Sequence, residues 1–379
     1  MNNKIDIAIC IPSKNEEKTI RNVVEIVALG INEYFPEKKA VIINADNNST
    51  DRTKEEFFIA DTGGVQKLYI ATNNIGKGEN IKNFLNYAVG AEIPFMGTID
   101  SDLRSIEPIW IYKLLKPLMD EQVDYVTPVY KRNRYEGNTT NHLCYPLLFS
   151  LFGDSVRQPI AGDFAFTLNF SKYLLNNLEN DSSYKYGIDI TMTLTAMLNG
   201  LKLKEVYLGE KIHNSSFSKM IPMFEEVAQS LISVLNRDLC LNSNRKSVMI
   251  DKDTNCEAIQ EQYNRPSDLS IQNRKDEVEK LYHETEFNYL RGSLDKIEKF
   301  LSSKILYTKN DWICTLRELV DIICSTELSQ DSIQYLSKEL LVHYLVRVLS
   351  YFEEIDGKKS AEVEDLLNEQ AFLLKKEIN

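Results

Sequence analysis

Short apolar runs alternate with amphipathic stretches over the first half of the chain. Residues 5–12 (IDIAICIP) form a β-rich apolar run that predicts a strand. The segment after it carries apolar residues at 20, 23, 24, 27, 28 and 31, the stripe of a helix. The run 40-AVIINAD-46 predicts a second buried strand, closing in the polar loop 46–53. Residues 67–72 predict a third strand, 94–103 a fourth and 124–132 a fifth. Between them, 76–90 reads as a glycine loop opening a helix, and 107–121 as a helix. Strands alternating with helices predict an α/β fold, a mostly parallel sheet with helices on both faces. Ligands of such sheets sit beyond the carboxyl ends of the strands. The polar clusters Ser13–Glu17, Asp46–Asp51 and Asp100–Asp102 all fall there.

After Ser218 helical periodicity takes over, at 221–235, 275–290, 311–324 and 333–355. The polar stretch 241–268 reads as a long connection, and the tail 374–379 as fraying. The expected division is therefore 1–219 and a mainly helical 220–379. The apolar stripes of the second part suit a homodimer or packing on its own domain, and the pattern leaves both open.

With 379 residues the chain exceeds one compact core. A net charge of -12 argues against a nucleic-acid binder, while a local basic pocket for a phosphorylated small molecule stays compatible. No apolar stretch approaches the ~18 residues of a membrane span, and the N-terminus turns charged too early for a secretory signal. Six widely spaced cysteines without a CxxC pair predict reduced, mostly buried thiols in a cytoplasmic protein.

Asp100 and Asp102 in 97-GTIDSDL-103 are the first candidates for chemistry. Carboxylates two apart on a strand point to opposite sides. A turn there lets one meet a hard divalent ion directly and the other through water or substrate; capping of the next helix is the rival reading. In 46-DNNSTDRT-53, Asp46 can bond a nucleoside, or the segment is only a loop with Ser49 and Thr50 as helix N-caps. Pro12 stiffens the exit from the first strand, with Ser13, Lys14 and Glu16 at the rim. Lys77, between glycines at a helix start, makes an anion site with the helix N-terminus or is a solvated charge. His213 completes an Asp-plus-His metal site or is structural. Asp189 opens a helix, where it holds a hydroxyl or answers the helix dipole. The loop 131-KRNRYEGNTTNHLCYP-146 suits an anionic acceptor.

Together, IAICIPSKNEEKTI, VIINADNNSTD and TIDSDL resemble the donor loops and metal-binding D-x-D of nucleotide-diphosphate-sugar glycosyltransferases of the A-type, Rossmann-like fold. GKGENI, YKRNRYEGNTTN, RQPIAGDFAF, YGIDI and EKIHN resemble the mannosylglycerate synthase and glucosyl-3-phosphoglycerate synthase branch. The likeness runs over residues 5–218. It implies a nucleotide-sugar-binding catalytic domain at 1–219. It also implies a metal-dependent, retaining hexosyltransferase using Mg²⁺ or Mn²⁺. The implied donor is GDP-mannose or UDP- or GDP-glucose, and the acceptor a small acid such as glycerate or 3-phosphoglycerate. By motif, Pro12, Ser13, Lys14, Glu16, Asp46, Lys77 and Asp100 would contact the donor, and Asp102 and His213 the metal. Arg132, Thr139, Thr140, Gly162, Asp163 and Asp189 would line the acceptor side. Asp100, Asp102, Lys77 and Asp189 would carry catalysis. One departure stands out. The phosphoglycerate enzymes have a Gly-Arg-x-Thr motif, and here 137-GNTT-140 puts Asn138 in place of the arginine, leaving Arg132 and Arg134 to compensate. The alternative is an inverting soluble family-two-like glycosyltransferase acting on a lipid or glycan. It would need a carboxylate base, for which Asp163 and Asp189 are the candidates.

Overall fold

The computed structural model describes residues 4–72, 76–120, 123–178, 185–212, 220–241, 248–252 and 265–378. The elements run β1 (Ile7–Ser13), α1 (Ile20–Tyr34), β2 (Ala40–Asp46), α2 (Thr53–Ile59), β3 (Gln66–Ala71), α3 (Lys77–Gly90), β4 (Phe95–Thr98), α4 (Pro108–Asp120) and β5 (Tyr125–Lys131). A π-helix at Thr140–Cys144 leads into α5 (Tyr145–Phe152). There follow β6 (Phe164–Thr167), α6 (Leu168–Asn177), α7 (Ile188–Leu198), β7 (Lys202–Glu210), α8 (Met220–Leu241) and β8 (Met249–Asp251). The rest is helical: α9 (Asp268–Glu284), α10 (Leu294–Ser303), α11 (Lys309–Ser325), α12 (Gln330–Glu354) and α13 (Ser360–Ile378).

The chain forms two compact units. One takes residues 1–131, 156–216 and 246–256; the other takes 132–155, 217–245 and 257–379.

The first unit is built on an eight-stranded sheet of order β3-β2-β1-β4-β6-β5-β7-β8. Every pairing is parallel except those of β6 with β4 and β5. Strand β1 is buried along its whole length, which is why IAICIPS is an unbroken apolar run rather than an alternating one. The helical stripe on α1 is buried residue for residue: Ile20, Val23, Val24, Val27, Ala28 and Ile31. Helix α1 packs on α4 so closely that a Cβ at Gly30 would lie 2.6 Å from the Pro108 carbonyl oxygen. Only glycine allows that approach. Strand β4 is shorter than the expected 94–103. Its ladder ends because the Asp100 amide donates to the Asp163 side chain (2.8 Å), not to a neighbouring strand. The four-residue β6 went unread in the sequence because it is short and antiparallel. Of the described cysteines, Cys10 and Cys144 are buried, but Cys314 and Cys324 are exposed, against the expectation of mostly buried thiols.

The second unit centres on α12, which is buried from Leu340 to Phe352. Three of its buried polar side chains, Glu339, His343 and Arg347, share one stripe of the helix. Glu339 accepts the amides of Asn288, Tyr289 and Leu290. Those bonds hold an irregular loop where the periodicity predicted helix to 290; α9 ends at Glu284. Arg347 grips Glu354 with both terminal nitrogens at 2.8 Å. The C-terminal residues do not fray at 374: Leu374 is buried in α13, and Lys375 donates to the Gly153 carbonyl at 2.8 Å. Among the described residues, no helix is long and apolar enough to cross a membrane.

His343, between the Tyr307 hydroxyl (3.0 Å) and the Leu290 carbonyl (3.2 Å), carries a testable consequence. Burial pushes its pKa down to about 4. The folded state keeps the ring neutral while the unfolded chain protonates it below about 6.5. The stabilisation is therefore complete above pH 6.5 and is lost as pH falls towards 4, by up to about 3 kcal/mol. Urea unfolding at pH 7.5 and 4.5 is expected to show this loss in the wild type and a smaller one in His343→Gln. Equal losses in both would contradict it.

Candidate active site

Parallel strands β1, β2 and β4 bring their carboxyl ends to one rim, with Ser13 opposite Asp46 and Thr98 opposite Cys10. The loops after β1 and β2 interlock there. Asn15 and Asn48 both take left-handed backbone (φ 57° and 56°), which asparagine tolerates. The Asn15 amide donates to Ser49 Oγ and its Oδ1 accepts from the Thr50 amide, both at 2.8 Å. The Glu16 amide donates to Thr53 Oγ1 (2.8 Å), and the Arg52 amide to the Glu17 carboxylate (3.0 Å). Ser49 and Thr50 are spent on this lock. They are not helix caps: α2 starts at Thr53 without a side-chain cap.

Asp46 organises the pair of loops. Its Oδ1 accepts from Ser13 Oγ (2.9 Å) and Ser49 Oγ (2.5 Å); its Oδ2 accepts from the Ser49 amide and the Tyr69 hydroxyl (both 2.9 Å). Partial burial and Asp46 push the Tyr69 hydroxyl's pKa up, so it stays a proton donor. With four donors in place, Asp46 shapes the site from beneath rather than waiting open for a nucleoside. Lys14 is exposed beside it, Glu16 half-buried, and the Pro12 carbonyl accepts from Ser101 Oγ at 2.7 Å.

The loop after β2 also sets the start of α3. Asn47 exchanges two hydrogen bonds with the backbone of Gly76, whose φ of 129° only glycine adopts readily. Lys77 follows and enters a row of alternating charges. Its Nζ lies 3.1 Å from Asp189, at the first turn of α7, and 2.8 Å from Asp100 Oδ1. Asp100 Oδ2 lies 2.9 Å from Lys211 Nζ, which lies 2.6 Å from Asp163 Oδ2. The Tyr130 hydroxyl donates to the same Asp163 oxygen at 2.7 Å, and Lys211 also donates to the Ala161 carbonyl at 2.7 Å.

These neighbours set the charges. Burial would raise the Asp100 carboxyl, but Lys211 and then Lys77 outweigh it and hold its pKa well below the carboxylate range. Burial would lower Lys77, but Asp100 and Asp189 keep it protonated. At Asp189 burial prevails over Lys77 and its pKa is raised.

Asp102 is half-buried in the turn at 101–102. Ile212, at the end of the β7 segment, exchanges hydrogen bonds with that loop: the Arg104 amide donates to its carbonyl and its amide to Ser105 Oγ, both at 2.9 Å. His213, the expected second metal ligand, lies outside the described residues. Among the described residues, no three His, Cys, Asp or Glu side chains form a metal-binding cluster. The donor chemistry still fits Mg²⁺ or Mn²⁺. Hard ions of that kind are held by one or two carboxylates and complete their shell with water and substrate phosphates. Asp102 offers such a carboxylate.

Two residues expected on the acceptor side are placed otherwise. Asp163 is fully buried and bonded on both oxygens, so no acceptor reaches it. Gly162 presses on Asp100, and a Cβ there would lie 2.2 Å from Asp100 Oδ2, at a φ of 94°. Gly162→Ala is expected to cost roughly 2–4 kcal/mol of stability. Gly209→Ala, at φ 85° with open space, is the control for backbone strain alone. Equal melting temperatures for the two variants would refute the collision.

Of the other acceptor candidates, Asp189 stands at the rim in the first unit, and Arg132, Thr139 and Thr140 belong to the second. Thr139 Oγ1 pairs with the Tyr344 hydroxyl at 3.2 Å, Thr140 is buried at the start of the π-helix, and Arg132 is half-buried. Asn138 is buried and donates to the Tyr135 carbonyl at 2.9 Å. Arg134 does not stand in for the missing arginine: it binds the Lys358 carbonyl and Ser360 Oγ. Sequence reasoning missed Lys211. The only signal was its place in EKIHN, two residues before His213.

Residues 8–175 match the family described as Glycosyl transferase family 2. The glucosyl-3-phosphoglycerate synthase of Mycolicibacterium smegmatis is 28% identical over 243 residues, 60% of this chain and 77% of that one. That of Petrotoga mobilis is 28% identical over 278 residues, 66% of this chain and 81% of that one. The crystal structure of glucosyl-3-phosphoglycerate synthase from Mycobacterium tuberculosis, in complex with Mn²⁺, uridine diphosphate and phosphoglyceric acid, shares the fold. Its TM-score is 0.50 at 24% identity, over 61% of this chain and 78% of that one.

Proposed function

We propose that this chain, a glycosyltransferase of the A-type fold, moves a hexosyl group from a nucleotide-diphosphate sugar to a small acidic acceptor, glycerate or 3-phosphoglycerate. The observation that carries this reading is the meeting of the D-x-D loop, Lys77 and Asp189 at one rim of the sheet. The relatives named for glucosyl-3-phosphoglycerate synthesis supply the acceptor class.

The interlocked loops 13–17 and 46–53 form the nucleoside's seat, with their shape fixed by Asp46. Lys77 is held protonated by its carboxylate neighbours and donates to the diphosphate oxygens. Asp189 accepts from a hydroxyl of the sugar or acceptor. Asp102, together with His213, would hold the divalent ion, which neutralises charge developing on the leaving diphosphate. Retention of the donor's anomeric configuration suits this site. An inverting transfer needs a carboxylate base aimed at the acceptor, while Asp163 is sealed and Asp189 is paired with Lys77. The buried thiols Cys10 and Cys144 suit a cytoplasmic setting, which cell fractionation would test.

The test is a screen of GDP-mannose, UDP-glucose and GDP-glucose against D-glycerate, 3-phosphoglycerate, lipid phosphates and glycans, read as nucleoside diphosphate released. Turnover with a glycerate-type acid is expected. Turnover confined to lipid or glycan acceptors would sink the proposal.

A further inference from the structure

We propose that Lys211 is a positioning residue that fixes the Asp100 carboxylate in the orientation the transfer needs; the inference rests on the reading of the site as a glycosyl-transfer centre. Lys211 is 3% exposed at its side chain and cannot itself meet a donor from solvent. It is anchored on the inner side by Asp163 at 2.6 Å and the Ala161 carbonyl at 2.7 Å, and it stands over the Tyr130 ring at 5.1 Å. Asp163 is anchored in turn by the Tyr130 hydroxyl and by the amide of Asp100 itself. Thus Asp163 and Lys211 together grip both the backbone and the side chain of residue 100. Among the described residues, Asp100 bonds outward to Lys77, so the aim of Lys77 also depends on this clamp. Gly162 completes the clamp, since any side chain there would meet Asp100 Oδ2 and Lys211 Nζ.

Lys211→Met alone leaves Asp163 buried without its cation and is expected to unfold easily. The double variant Asp163→Asn/Lys211→Met removes both charges, keeps an acceptor for the Asp100 amide, and is expected to melt closer to the wild type than either single variant. Its kcat is nevertheless expected to be about 100-fold down, the scale of a misplaced reacting group. Binding of the free nucleoside by calorimetry is expected to stay within about 3-fold, because it lacks the diphosphate that Lys77 meets, while nucleoside diphosphate binding is expected to weaken. A double variant that regains kcat along with its melting temperature would make Lys211 purely structural and overturn the proposal. A crystal structure of the double variant gives a readout independent of the reaction. The Asp100 carboxylate is expected to turn away from Lys77, and an unmoved Asp100 overturns the inference while leaving the proposed function intact. Absence of transfer by the wild-type enzyme would instead overturn the function and leave the clamp.

Discussion

Asp102→Ala is expected to lower glycosyl transfer by about three orders of magnitude, the scale of several kcal/mol of charge stabilisation lost from the leaving diphosphate. The loss is chemical rather than structural. The turn that carries Asp102 is pinned by other groups: Ser101 on the Pro12 carbonyl, the Asp100 amide on Asp163, and the Arg104 amide on Ile212. With that frame kept, the fall in transfer is expected to exceed by far any change in stability. Activity titrated with Mn²⁺ and Mg²⁺, alongside a urea melt, separates the two. A variant that keeps full activity in excess EDTA would reject Asp102 as the metal's carboxylate.

Lys77→Met is expected to damage both folding and function. It leaves Asp100 and Asp189 close together, each largely buried, without the ammonium between them. Removing one partner of a buried ionic group costs about 3–5 kcal/mol. The pH dependence has a definite sign. Burial already raises the pKa of Asp189, and loss of Lys77 raises it further. A carboxyl with a raised folded pKa is best tolerated below the unfolded value of about 3.9 and destabilises as pH rises through the folded value. The deficit of the variant should therefore be largest near neutral pH and shrink on acidification. Urea unfolding of wild type and variant at pH 5 and pH 8 measures it, and a deficit that grows towards pH 5 would contradict the account. Lys77→Arg keeps the charge and should recover most of the stability. It should recover less of the activity, because a planar guanidinium does not replace a compact ammonium at a fitted site.

Strands β1 and β2 were legible because they are buried and read as near-continuous apolar runs. The stripe on α1 was legible because one face of that helix meets α4. What escaped was long-range pairing. Asp163 follows a glycine and precedes apolar residues, and the resemblance sets it on the acceptor side. Its burial is decided by Lys211, 48 residues further on. Asp46 reads as an open acceptor, yet donors from 13, 49 and 69 fill it. The polar positions 339, 343 and 347 on α12 are buried, because loop backbone, Tyr307 and Glu354 supply their partners, and nothing in the local pattern shows those partners. Local pattern located the rim and most of its polar residues, but not which carboxylates face outward and which are tied down behind them.

The proposed reaction is transfer of a hexose, with retention, to a glycerate-type acid. It is tested most directly by proton NMR of the product formed from an α-linked nucleotide-diphosphate hexose with D-glycerate or 3-phosphoglycerate and Mn²⁺. An α-linked hexosyl product is expected in step with nucleoside diphosphate release. A β-linked product, or no hexosylated acid while the same donor is transferred to a lipid or glycan, would contradict it.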